Sequence, residues 1–335
     1  FCLTRITTNR RNFTIVLWAL VLGSLYIGYD AYTAPRGAFA RGRLEVVGGP
    51  DFRHSSGLSS HMAAMLPLIA VAVITSRMWL TRATALVSGA LTINTVILCR
   101  TRSAFVGLFV GLIAALLFAP RGRRILVYSL IGLALAGGYT LTDPPFWERM
   151  ATLTDREGLA EDPAATGRTD VWRGARELII QYPLGIGIGN FTQVIGTVDR
   201  ELRLRAAHNT LVLCWTELGT QGIVVLVSMI FVSFLQVIYC FRRARFTDDP
   251  VWFRFMAYGL LLSMIVSLGA QMFTERLYTE AFWWILALPG CLQRVVIREV
   301  EQRSVQLESA RLVDVGGWLE AIPILSHRTT RGALT

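Results

Sequence analysis

The chain has 335 residues, 53% hydrophobic and only 17% charged, with 33 basic against 23 acidic side chains and a net charge of +10. The apolar excess lies in uncharged runs of about 17–24 residues separated by arginine-bearing connections, the length scale of a bilayer's hydrocarbon core. This excludes a disordered chain, a disulfide scaffold and an ordinary cytosolic enzyme, and it predicts an all-α, polytopic transmembrane helical bundle.

In chain order the predicted spans fall at roughly 13–29, 57–76, 83–99, 103–119, 125–141, 210–240, 254–273 and 279–297, about eight in all. The last has Glu280 at its start and Arg294 in its final turn, so it ends where a long side chain snorkels to the interface. Residues 1–297 are therefore read as one transmembrane domain with a long loop at 142–207. Residues 298–335 form a polar, mixed-charge cytoplasmic tail, helical at first and then fading into disorder. Phe1 opens the chain without a cleavable signal pattern, and earlier spans are expected before it.

Every basic residue is arginine, whose planar fork pairs bidentately with phosphate. Such a charge in a membrane protein points to anionic membrane lipids or an anionic substrate. Nucleic acid is not expected, because no basic run is interleaved with base-stacking aromatics. Cys2, Cys99, Cys214, Cys240 and Cys291 show no metal or redox spacing and read as small hydrophobes.

Placing the amino end in the cytoplasm gathers Arg5, Arg10, Arg11, Arg77, Arg82, Arg121, Arg123, Arg124, Arg242, Arg243 and Arg245 into inside connections. Long loops translocate regardless of charge, so Arg149, Arg156, Arg168, Arg173, Arg176, Arg200, Arg203 and Arg205 do not oppose this topology. The short turn Arg100-Thr101-Arg102 does oppose it, which calls for a reason to keep two arginines outside. Within the long loop, Val171, Trp172, Ala175, Leu178 and Ile179 recur at helical spacing opposite Arg173, Arg176 and Glu177. That is an amphipathic helix expected to lie on the membrane, stopped by Pro183 and followed by a close-packed turn at Gly185, Gly187 and Gly189.

His208-Asn209 stands at the outer edge of the sixth span, where a histidine serves either as a proton acceptor or as a hydrogen-bond partner of a loop carbonyl. Glu217, about two turns deeper, either orients a substrate hydroxyl, neutralises an arginine or forms a structural pair. Arg102 and Arg168, with Arg100, offer forked donors suited to a diphosphate or to lipid headgroups. His61, one turn inside the second span, is placed to line a substrate cavity, whereas His54 flanks that span. No HxH or HExxH spacing exists, so neither metal nor cofactor is expected.

Thr101-Arg102-Ser103-Ala104, then Gly167-Arg168 with Trp172, then Pro183-Leu184-Gly185-Ile186-Gly187 with Asn190-Phe191, then His208-Asn209 with Glu217-Leu218-Gly219 and Gly222, form an ordered set. In order, spacing and membrane placement this set resembles the O-antigen ligase family, across roughly residues 30–295. The resemblance implies a metal-independent, inverting glycosyltransferase of the GT-C class, a multi-pass protein of the bacterial inner membrane with its site on the periplasmic face. Its donor would be a glycan on undecaprenyl diphosphate, and its acceptor a hydroxyl of lipid A core or of a growing polysaccharide. By matching position, Arg102 and Arg168 would hold the diphosphate and His208 would assist the acceptor hydroxyl, with Arg100, His61, Asn209, Glu217 and Trp172 as substrate contacts. Trp172 stands where the family often has leucine, and the family's dozen or so spans exceed those found here.

A lipid-linked diphosphate needs forked cations near the interface, and displacement at the anomeric carbon then needs a positioned hydroxyl, a base and stabilised departing charge. A polysaccharide polymerase differs from a ligase only in the acceptor. A lipid or glycan transporter would instead show broken or charged helices in paired repeats, and none is visible.

Overall fold

The computed structural model describes residues 2–40, 42–52, 54–142, 144, 147 and 163–320. Arg149 and Arg156 of the long loop, and residues 321–335 of the tail, lie outside the described residues. The helices are α1 (Cys2–Ile6), α2 (Arg10–Tyr32), α3 (Ser55–Thr75), α4 (Trp79–Cys99), α5 (Arg102–Phe118), α6 (Arg124–Thr140), α7 (Pro163–Gln181), α8 (Phe191–Val198), α9 (Thr210–Arg243), α10 (Pro250–Gln271) and α11 (Glu280–Glu320). One antiparallel hairpin, β1 (Phe39–Ala40) with β2 (Arg43–Leu44), pairs Phe39 with Leu44 across its turn. The architecture is an all-α membrane bundle.

Each predicted span coincides with a helix. Six of them, α2, α3, α4, α9, α10 and α11, are long and apolar enough to cross a membrane. The other two, α5 and α6, are apolar but have 17 residues each, a rise of about 26 Å against a core of about 30 Å. The last helix runs unbroken through the expected boundary at 297/298 to Glu320.

The central pair is α3 and α10, both mostly buried, whereas α2 and α9 turn most of their surface outward. Lipid tails are as apolar as leucine, so close approach and hydrogen bonding must hold such helices together. The sequence provides for both. Gly107 and Gly111 of α5 form a GxxxG face against Val266 and Ala270 of α10. Ser263 Oγ donates to Ala64 O at 2.7 Å, and Tyr258 Oη donates to Ala115 O at 2.7 Å.

Successive spans alternate in direction, so the connections collect at two ends. At one end Arg10 pairs with Asp249 at 2.8 Å and Arg294 Nη1 donates to Thr4 O at 2.9 Å, among the arginines of the short connections. At the other end Arg100 Nη1 donates to Gly42 O at 3.1 Å and Arg276 Nη1 to Asp51 O at 3.0 Å. The hairpin, the turn before α5, the start of α9 and the turn at 272–279 therefore share that second end.

The amphipathic helix of the long loop is α7. Its apolar residues Val171, Ala175 and Leu178 are fully buried, and Gly174 packs against Ile195 of α8 and Leu202. The stripe expected to meet lipid is thus covered by the loop's own second helix and by α9, a partner that helical spacing within one segment does not reveal.

Candidate functional site

At the second end of the bundle, α4 finishes with Arg100 in a left-handed conformation (φ 46°, ψ 47°), which turns the chain sharply into α5. Thr101, capping α5, shares a hydrogen bond with Ser59 of α3. Arg102 is the first residue of α5. Five residues on, Gly107 faces Val266 and Ala270 of α10, which runs the opposite way. A rise of about 7.5 Å over five residues therefore brings Arg102 level with the turn that follows α10.

That turn, 272–279, is the hub. Phe273 lies beneath Arg168 of α7, with the guanidinium 5.9 Å from the ring centroid. Glu275 Oε1 accepts the backbone amide of His208 at 2.5 Å, and the same carboxylate takes the amide of Ala207. Tyr278 Oη donates to Glu217 Oε2 at 2.5 Å. Asn209 Nδ2 donates to Met272 O at 3.2 Å and Thr210 Oγ1 to Thr274 O at 3.1 Å.

His208 is exposed at the rim, in a left-handed conformation (φ 50°) that non-glycine residues rarely adopt. The protein around it, and then the charges of Arg168 and His54, hold its imidazolium below the ordinary 6.5. A neutral imidazole beside a guanidinium can accept a proton while the cation steadies an oxyanion. Glu275 is shifted the other way: burial raises its carboxyl above the usual range and Glu217 adds to the rise, against the two amide hydrogen bonds.

Three residues expected to contact substrate have protein partners here. Asn209 caps α9, its Oδ1 accepting from Leu211 N at 2.9 Å and Val212 N at 3.1 Å. Trp172 Nε1 donates to Ala207 O at 2.8 Å, beside His208. Glu217, only 3% exposed, accepts from Phe191 N at 3.0 Å as well as from Tyr278. Asn209 and Trp172 thus hold the chain that carries His208, whereas Glu217 ties the start of α8 to Tyr278; the Asn209 and Glu217 side chains are buried.

A backbone break explains why Glu217 differs from its expected place within a span. Gly219 (φ 69°, ψ −168°) interrupts α9, and residues 220–243 alone rise about 36 Å, enough to cross. The segment 210–218 is a short helix stacked on that span. The carbonyls released at the break accept from the glycine-rich turn: Ile186 N to Thr216 O and Gly187 N to Glu217 O, each at 3.0 Å, while Thr220 N donates to Pro183 O at 2.9 Å.

The His61 ring lies 4.9 Å from Phe52, which also supports the Arg276 guanidinium at 5.2 Å. Among the described residues no three His, Cys, Asp or Glu side chains are grouped to hold a metal ion. Glu275, Arg276 and Tyr278 escaped the sequence reading. Their signal was a Glu-Arg pair in a short turn between two apolar runs, at the same end as His208.

Residues 87–227 match the family model described as O-antigen ligase. The match takes in Arg100, Arg102, Arg168, Trp172, His208, Asn209 and Glu217 and stops short of the hub turn. No curated protein matches the chain.

Proposed function

We propose that the chain, whose residues 87–227 match the O-antigen ligase family model, moves a glycan from an undecaprenyl-diphosphate carrier to a hydroxyl of lipid A core. Glycan transfer of the ligase or polymerase type is the chemistry of this family, performed by a multi-pass membrane protein. The observation that carries the finer reading is the hub turn, which sets His208 and Arg168 beside one another, with Arg102 at the same level.

His208 accepts the proton of the acceptor hydroxyl as its oxygen attacks the anomeric carbon. The bond to the diphosphate breaks on the opposite face, and the configuration inverts. Charge develops on the leaving diphosphate, where Arg168 and Arg102, with Arg100 at the rim, stabilise it without a metal ion. Asn209 and Trp172 act through the backbone around His208, and Glu217 through Phe191 and Tyr278. The opposite end of the bundle, rich in arginine in its short connections, faces the cytoplasm by the positive-inside rule, which puts His208 on the periplasmic side of the inner membrane.

The test is reconstitution with a lipid-linked glycan and two acceptors, lipid A core and free glycan repeats. His208→Ala, Arg168→Ala and Arg102→Ala should each abolish transfer with insertion intact, and Arg102→Lys should be impaired because a point charge lacks the fork. Full activity in all three alanine variants would remove the site. Transfer to glycan repeats alone would make the protein a polymerase.

A further inference from the structure

Arg276 is 92% buried by its 8% exposure, yet its nearest named partners are a backbone carbonyl and a ring. Its backbone amide donates to Thr210 Oγ1 at 3.0 Å, Nη1 donates to Asp51 O, and Phe52 lies under the guanidinium. Nη2 is buried without a hydrogen-bond partner. Burial pushes this guanidinium down to about 10, against the field of Asp51.

The face of α3 beneath it is built to match. Gly57 makes room for the guanidinium: a Cβ there would stand 2.4 Å from Nη1. Ser60 and His61 follow Gly57 at i+3 and i+4, so all three share one helix face. Ser60 Oγ and His61 Nδ1 are, like Arg276 Nη2, buried without a hydrogen-bond partner. One chance orphan is common, but a guanidinium, a hydroxyl and an imidazole left unpaired on one face form a donor set for an oxyanion.

We propose that Arg276, Ser60 and His61 form a second anion subsite, separate from Arg168 and Arg102, that takes a carboxylate or phosphoryl group carried on a sugar of the glycan. It deepens the glycan-transfer reading and rests on it for the identity of the ligand. Entry runs past Asp51, whose carbonyl holds Nη1, and Phe52, whose ring covers Arg276 and His61. Acidic glycans would thereby be preferred over neutral ones.

The test reads binding rather than turnover, on the full chain in detergent, with glucuronate and inorganic phosphate as separate probes against chloride at equal ionic strength. Either probe well above its Kd should raise Tm by about 2–4 °C, and which one does so assigns the group as carboxylate or phosphoryl. Gly57→Ala, which crowds the guanidinium, and the milder Ser60→Ala should each lose the rise, whereas Arg168→Ala should keep it. No rise with either probe, or an equal rise in wild type, Gly57→Ala and Ser60→Ala, overturns the proposal. Inactivity of His208→Ala bears on the transfer reading alone, since the probes bind without turnover.

Discussion

Glu275 accepts the backbone amide of His208 at 2.5 Å across a separation of 67 residues. The carboxylate also takes the amide of Ala207, while Trp172 takes that residue's carbonyl, so the peptide leading into His208 is gripped on both edges. The grip has a purpose: a left-handed φ costs a non-glycine residue about 1–2 kcal/mol, and charge-assisted hydrogen bonds offset such strain.

Removing the grip should therefore displace the imidazole without touching Arg102 or Arg168, the proposed diphosphate contacts. Glu275→Ala is expected to lower kcat about 10- to 100-fold with KM for the lipid-linked donor nearly unchanged. Glu275→Gln keeps an acceptor oxygen and should recover part of the loss. Steady-state kinetics in proteoliposomes decide it, and a wild-type kcat for the alanine variant would show that the clamp does not position His208.

The titration of these two groups acts in one direction. His208 is held below 6.5, and with its neutral form as the proposed proton acceptor the rate should be level above its pKa and fall about tenfold per pH unit below it. Glu275, raised by burial, protonates on the same acid side and loosens the amide grip there. Arg168→Gln removes a cation from the surroundings of His208 and should move the imidazole's midpoint up toward 6.5, as an NMR titration of His208 would read directly. An unmoved midpoint would mean that Arg168 does not act on that ring.

The spans were legible because burial in lipid demands uncharged runs of a set length, and every run became a helix. Arg102 and His208 stand out in the sequence as polar groups at span ends, and Arg168 at the start of the loop's amphipathic helix. What escaped depended on long-range pairing or on one dihedral. Glu275 meets His208 only after α9 and α10 have folded back, and nothing local to either residue announces it. Glu217 was placed inside a span because apolar periodicity runs straight through Gly219, where the helix breaks. Asn209 immediately before a helix is also a capping signal, and it caps α9.

The break at Gly219 is itself testable. Its φ and ψ belong to a region nearly confined to glycine, and a Cβ there would lie 2.3 Å from Leu184 C. Gly219→Ala should cost about 1–3 kcal/mol and free the 183–187 turn from α9. Limited proteolysis should then cut the 182–190 segment faster than in wild type. Gly189→Ala, also at positive φ but with open space around it, supplies the comparison that separates lost docking from backbone strain alone.

Helix packing gives a prediction independent of any chemistry. A Cβ on Gly107 would stand 2.5 Å from Val266 O and 3.0 Å from Ala270 N, both backbone atoms that cannot turn aside. Gly107→Ala must therefore push α5 away from α10, a strain of about 1–3 kcal/mol. Gly132 of α6 has nothing within 4 Å of the same added atom, so Gly132→Ala is expected to hold or slightly raise stability through its helix propensity. Thermal unfolding in one detergent compares them. A lower Tm for Gly107→Ala alone supports the close α5–α10 contact that sets the level of Arg102, and equal Tm values would break that contact and the placement of Arg102 with it.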